Sequence, residues 1–500
     1  MDMIDNLVLG FGNAVSFYNL VYVFIGCFVG TLIGVLPGLS PLATVAILMP
    51  FTYGLEPLTA LIMLAGIYYG SQYGGSTTAI LVNLPGESSS VVTMLDGHQM
   101  ARQGRAGVAL ATAALSSFFA GTVGTLVLAA FATPMSKIAL SFGAAEYFAL
   151  MVVGLLGAVV LASGSAVKAV GMVLIGLLLG LVGTDVQTGT VRFTLGLPQL
   201  WDGLDFIVVA VGIFAFTEVL TSLEMGTARE SFTRNISSLW PTREDFRRII
   251  PATLRGTALG SAIGSLPGSG VTLASFIAYT VEKKVARNPE KFGKGAIEGV
   301  AAPEAANNAA AQTGFIPTLT LGVPGSATMA LMLGAMMIHN IQPGPMVMVN
   351  NPGLFWGLIA SMWIGNLVLL VLNLPLIGLW VQILKVPFRV LYPAILVFCC
   401  IGVFSARSSD FDILLAAGVG GVGYMFHRFG CEPAPLVLGL VLGPLLEENF
   451  RRAMLLSGGD FSIFVTRPIT LGLLVCAALL LVLILLPAFR SKREEIFAED

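Results

Sequence analysis

Glu304, Asn307 and Asn308 fall three and four residues apart in the stretch Glu298 to Gln312, whose other interior residues are alanine, glycine, valine and one proline. On a helix this spacing puts all three on one face. The chain around them is 56% hydrophobic and only 11% charged. A carboxylate in such surroundings is costly enough to point to work: carrying a proton or Na+, or holding part of a substrate. The plainer reading is a helix that starts in water, which suits Glu298 and competes at Glu304. Glu87, next to Asn83-Leu84-Pro85-Gly86, is a second candidate carrier. Upstream of it, Tyr68 to Thr78 is unusually rich in glycine and polar side chains for an apolar run.

Four proline-glycine pairs interrupt the most apolar parts of the chain: Leu36-Pro37-Gly38, Leu84-Pro85-Gly86, Leu266-Pro267-Gly268 and Val323-Pro324-Gly325. Proline removes a helical hydrogen bond, and in lipid the freed backbone groups persist only where protein encloses them or they line a polar cavity. Small hydroxyl residues follow each break: Ser40 before Pro41; Ser88, Ser89 and Ser90; Ser269 and Thr272; Ser326 and Thr328. A helix restarting there points unpaired N–H groups and the positive end of its dipole at an anion, while the arm ending at the break offers carbonyls to a cation. The candidate substrate-binding residues are therefore Gly38, Ser40, Asn83, Gly86, Ser88, Ser89, Gly268, Ser269, Gly325 and Ser326. Glu87, Glu304, Asn307 and Asn308 are the candidate coupling residues. Against this stands the reading that the serines only cap buried helix ends. An anion seat beside a cation seat is the physical basis of cation-coupled organic-anion uptake, with Na+ or H+ as the coupling ion and no other cofactor.

Such residues must be positioned by membrane helices. Apolar runs of about 17 to 25 residues, long enough to cross a bilayer, recur from Val21 to Leu486. Lysine and arginine are absent before Arg102 and then cluster at 102–105, 229–255, 283–294 and 490–493, which places those segments in the cytoplasm. The N-terminus is expected outside and the C-terminus inside. Met1 to Asn6 has no basic residue of the kind that opens a signal peptide, so the first apolar segment is expected to be retained. Residues 256–281 are flanked by basic stretches on both sides and broken in the middle; they read as a re-entrant hairpin entering from the cytoplasm. Residues 21–53 have the same build without basic flanks and read as its counterpart from outside. Gly30 to Gly38 aligns with Gly260 to Gly268 at an offset of 230 (268 − 38), and Pro85-Gly86 aligns with Pro324-Gly325 at 239 (325 − 86).

The expected fold is an all-α polytopic membrane protein with about eleven crossings, two re-entrant hairpins and two inverted repeats with broken helices. Residues 1–224 form the first repeat, with its hairpin at 21–53 and broken helix at 58–95. A cytoplasmic linker spans 225–255. The second repeat is 256–489, with its hairpin at 256–281 and broken helix at 296–338, and 490–500 is a cytoplasmic tail. Arg451 and Arg452 strain this count because it puts them outside.

Other chemistries find no support. The five cysteines lie in or beside apolar segments without metal spacing, and His98, His339 and His427 are scattered. No nucleotide, metal or nucleophile motif is present, so neither an enzyme nor a nucleic-acid binder is expected. A passive organic-anion channel, or a transporter of another small anion, remains open.

In longer motifs the chain resembles the TctA family, the large membrane subunit of the tripartite tricarboxylate transporters. The resemblance rests on Gly34-Val35-Leu36-Pro37-Gly38-Leu39, on Tyr69 to Ser76 leading into Asn83-Leu84-Pro85-Gly86-Glu87, on Ala302-Pro303-Glu304-Ala305-Ala306-Asn307-Asn308, on Leu319 to Gly325 and on Leu438 to Glu448. It implies secondary transport of di- or tricarboxylates, citrate-like compounds among them, across a bacterial inner membrane. It also implies two partners: a small TctB-like membrane subunit and a periplasmic TctC-like solute-binding protein.

Overall fold

The computed structural model describes residues 3–36, 40–139, 141–162, 165–185, 187–225, 239–266, 270–383 and 388–485. Apart from one short antiparallel hairpin, β1 (Gly183–Thr184) with β2 (Val191–Arg192), the regular structure in them is helical. After α1 (Met3–Ala14) come α2 (Phe17–Gly34) and α3 (Pro41–Leu48), which cover the residues expected to form the first hairpin. The first broken helix is α4 (Pro57–Val82) and α5 (Ser90–Arg102). Then follow α6 (Ala106–Ala139), α7 (Ala144–Leu161), α8 (Ala166–Gly180) and α9 (Phe206–Ala210), which runs through a π-helical stretch into α10 (Thr217–Met225). Further on, α11 (Arg243–Gly264) and α12 (Gly270–Val285) cover the residues expected to form the second hairpin. The second broken helix is α13 (Glu298–Thr313), α14 (Phe315–Leu321) and α15 (Ala327–Ile338). The remainder is α16 (Met346–Asn350), α17 (Pro352–Asn373), α18 (Ile377–Ile383), α19 (Phe388–Arg407), α20 (Asp410–Arg428), α21 (Ala434–Leu456), α22 (Ile463–Thr466) and α23 (Pro468–Leu485). Four stretches are long and apolar enough to cross a membrane by length and composition: Phe17–Gly34, Ala106–Met135, Phe206–Glu224 and Pro352–Asn373. Shorter apolar helices accompany them.

The centre is built on α4 and α13, which are buried around their whole circumference, as helices enclosed by other helices must be. Helix α2 lies along α4 and α11 along α13, while α6 packs on α13 and α17 on α4. Glycines set the first two contacts. A β-carbon at Gly26, Gly30 or Gly34 would run into the backbone of Met63, Ile67 or Ser71; one at Gly256, Gly260 or Gly264 would run into Ala302, Ala306 or Ala310. The arms therefore approach to backbone contact, the small-residue packing that membrane helices use. Gly256, Gly260 and Gly264 follow Gly26, Gly30 and Gly34 by 230 (256 − 26), and Ala302, Ala306 and Ala310 follow Met63, Ile67 and Ser71 by 239 (302 − 63). The two offsets read from the motifs are thus also those of matched contacts.

One boundary moves. The second hairpin's first arm was expected to begin at 256, after a linker; instead α11 begins at Arg243 and has 22 residues, about 33 Å at 1.5 Å per residue. A reciprocal capping box starts it: Asp245 N donates to Thr242 Oγ1 (3.2 Å) and Thr242 N to Asp245 Oδ2 (2.9 Å). Two of its arginines and one of its carboxylates pair with neighbouring elements. Arg105 pairs with Asp245 (2.7 Å), Arg248 with Glu298 (2.6 Å) and Arg255 with Glu282 (2.6 Å). Charges that read as an interfacial linker helix belong to the same continuous helix as the apolar arm that follows.

Arg451 is neutralised. It pairs with Asp185 (3.0 Å) and Glu447 (2.5 Å), and Arg192 also reaches Glu447 (2.9 Å). The Thr188 hydroxyl and the Gln187 N–H, followed by Arg451, hold the Asp185 carboxyl down at about 2.

Candidate functional site

Helices α4, α5, α6 and α13 meet around Glu304, which is 2% exposed. Its carboxylate accepts from three hydroxyls, Ser76 Oγ (2.7 Å), Thr93 Oγ1 (2.7 Å) and Ser117 Oγ (3.1 Å), each on a different helix. Asn308, one turn on, donates to Ser117 Oγ (2.7 Å) and to the Glu304 carbonyl (3.1 Å). The reading of Glu304 as a residue in water does not fit this burial, and Glu298, at the start of α13, is partly buried in an ion pair with Arg248.

Asn307 turns to the other carboxylate. Its amide nitrogen donates to Glu87 Oε1 (2.9 Å), which also accepts from Ser89 Oγ (2.5 Å). Glu87 closes the break itself: its backbone N–H donates to Ser90 Oγ (3.3 Å), whose hydroxyl returns to the Glu87 carbonyl (2.8 Å). The chain crosses between α4 and α5 here, so the first break touches the polar face of α13. Among the described residues neither Glu87 nor Glu304 has an ion-pair partner. Two buried carboxylates share one polar centre and are held only by neutral groups.

The breaks have a common geometry. Asn83 ends α4 with a left-handed φ of 58°, and Gly322 ends α14 with a φ of 72°; they are 239 residues apart (322 − 83). Gly86 lies against the backbone of Gly75, and Gly325 has Gly314 nearby, again a matched pair (314 − 75 = 239). Hairpin and breaks converge: Gly270 N donates to the Gly325 carbonyl (3.2 Å), and Ser88 Oγ lies 2.7 Å from Thr272 Oγ1. Ser40 Oγ accepts from Ala43 N (3.2 Å) and Ser326 Oγ from Met329 N (3.3 Å), so both serines cap helices. Asn83 and Ser88 are exposed and Ser89 is buried on Glu87. Gly38, Gly268 and Ser269 lie outside the described residues.

Ser76, Thr93 and Ser117 were not singled out by sequence, although Ser76 belongs to the polar run Tyr68 to Thr78. Tyr73 in that run donates to Asn366 Oδ1 (3.2 Å), tying α4 to α17. Asp96, fully buried, accepts from Tyr279 Oη (2.9 Å) and from the N–H groups of Gly295 (2.8 Å) and Ala296 (2.7 Å), anchoring the turn before α13. Among the described residues no group of three or more His, Cys, Asp and Glu side chains is placed to hold a metal ion.

An almost entirely helical chain of apolar helices with a buried, unneutralised polar centre is an all-α, multi-pass membrane protein. The chain belongs to the TctA family of tripartite tricarboxylate transporters, whose family model matches residues 20–438. A protein of Agrobacterium vitis described as an uncharacterized 52.8 kDa protein in the TAR-I ttuC' 3' region is 57% identical over 500 residues, all of both chains. Another from that organism, described as an uncharacterized protein in the TAR-II ttuC' 3' region, is 57% identical over 241 residues, all of that protein and 48% of this chain. No solved structure matches. The chain is thus a subunit of a tripartite tricarboxylate transporter, and not an enzyme.

Proposed function

We propose that this subunit imports di- or tricarboxylate anions, citrate-like compounds among them, by symport with Na+ or H+. Substrate is received from a periplasmic TctC-like binding protein, and a small TctB-like subunit completes the complex in the bacterial inner membrane. The observation that carries the coupling is the pair Glu87 and Glu304, buried together without a counter-charge. Isolated charges in a low-dielectric interior are very costly. They would also repel a carboxylate substrate until a proton or metal cation neutralises them, and that order of events is what couples the two fluxes. The anion would sit at the helix ends after the breaks, where the N-termini of α3 and α15 supply dipole and N–H groups.

The matched contacts at 230 and 239 support two inverted repeats. In this reading about eleven crossings and two hairpins put the N-terminus in the periplasm and the C-terminus in the cytoplasm. The whole complex in proteoliposomes tests the function. Labelled citrate should accumulate above equilibrium when an inward Na+ or H+ gradient is imposed. Uptake that only equilibrates, at a rate indifferent to every gradient, would make the protein a passive anion channel.

A further inference from the structure

Beside Glu304 lies a small cavity of about 10 Å³, space for one water-sized particle. Its polar lining is Tyr73, Ser76 and Thr77 of α4, Ser117 of α6, Glu304 of α13 and Asn373 at the end of α17. Asn373 is 5% exposed, and its amide nitrogen is spent on the Leu369 carbonyl (2.9 Å). That bond fixes the amide orientation and leaves Oδ1, a buried acceptor, without a partner. Buried acceptors are seldom left so. The residues around the cavity therefore supply a carboxylate, hydroxyls and a buried amide whose oxygen is unpartnered. No lysine or arginine lines it.

We propose that this cavity, bounded by Glu304, Ser76, Ser117 and Asn373, binds a dehydrated monovalent metal cation of the size of Na+. The inference rests on the cation-coupled reading above and names its ion and its ligands. Hard cations take oxygen ligands, and one carboxylate matches one positive charge. A proton on Glu304 would neutralise the carboxylate but leave Asn373 Oδ1 unpartnered. A water would satisfy Asn373 but leave the charge. A small alkali cation answers both with one particle, in a space that holds one, where the alternative takes a proton and a water together. Its four walls come from both halves of the chain, so occupancy would tie the two halves together.

The test is binding of 22Na+ to the purified full-length protein by scintillation proximity, with choline holding ionic strength constant and K+ as competitor. Saturable binding that Na+ displaces and K+ does not is expected. Asn373→Leu should weaken it about 10- to 100-fold, the usual loss when a site-supporting group is removed; Asn373→Asp, which keeps an oxygen, should retain it, and Glu304→Gln should abolish it. Size-exclusion profiles separate misfolded variants from weakened ones. If the wild-type protein binds no 22Na+ yet accumulates citrate under a pH gradient, the Na+ site is wrong and the coupled reading stands. If uptake also ignores every gradient, both fall. Undiminished 22Na+ binding by a folded Asn373→Leu and Glu304→Gln pair would equally overturn the site.

Discussion

At the scale of single residues, the carboxylates were legible and most of their partners were not. Glu87 and Glu304 stand out because a carboxylate in an apolar run is expensive wherever it ends up. Ser76, Thr93 and Ser117 do not, because hydroxyl residues in apolar helices commonly bond back to their own helix. Thr112 donates to Val108 (2.8 Å), Thr125 to Gly121 (2.8 Å) and Thr318 to Gly314 (2.7 Å). Nothing in the sequence tells a hydroxyl that bonds back from one that reaches across to Glu304. Ser40 and Ser326 pose a sharper question, since a cap and an anion seat use the same atoms. Ser40→Ala and Ser326→Ala should each cost about 1 kcal/mol of stability, read as a lowered melting temperature. Ser40→Asp restores a capping oxygen but brings a negative charge to the helix end, so it should recover stability and lose citrate uptake. Full uptake by a folded Ser40→Asp protein would show that Ser40 only caps.

At the scale of elements, the proline-glycine breaks and basic flanks carried the hairpin reading, and periodic glycines turn out to pack the arms. Gly26, Gly30 and Gly34, and their counterparts Gly256, Gly260 and Gly264, make contacts with no room for a side chain. Valine at Gly30 and at Gly260 should therefore destabilise to a similar degree, by at least the 1–3 kcal/mol typical of overpacking, seen as lost folded yield at size exclusion. A tolerated valine at either position would contradict the close approach. Which helix of one half covers the broken helix of the other was not readable, because α6 and α17 are apolar on most faces and periodicity cannot choose between partners. The continuity of α11 was missed for a different reason: a charged interfacial helix and the apolar arm after it read as two elements until the carboxylates facing Arg248 and Arg255 are known. The β1–β2 turn has a simple pH signature. Asp185 has a lowered folded pKa, so its contribution is complete above the ordinary carboxylate value near 4. It fades as the pH falls through about 2. Asp185→Asn should remove that acid-sensitive component, measured as a smaller change in thermal stability between pH 5 and pH 2 than in the wild type.

At the scale of the whole molecule, charge placement and the paired offsets argue for two halves facing opposite ways. Cysteine at 243 and at 283 lies on the two arms of one hairpin, so an impermeant thiol reagent should reach both from the cytoplasm alone. Labelling of either from the periplasm would end the re-entrant reading. The central claim is that Glu87 and Glu304 exchange a cation in step with substrate. Its most direct test is the steady-state citrate accumulation ratio in proteoliposomes as the imposed Na+ or H+ gradient is stepped, for the wild-type complex and for Glu304→Gln. A ratio that climbs with the gradient in the wild type and stays at unity in a folded Glu304→Gln complex is the predicted result; equal accumulation by the two would contradict it.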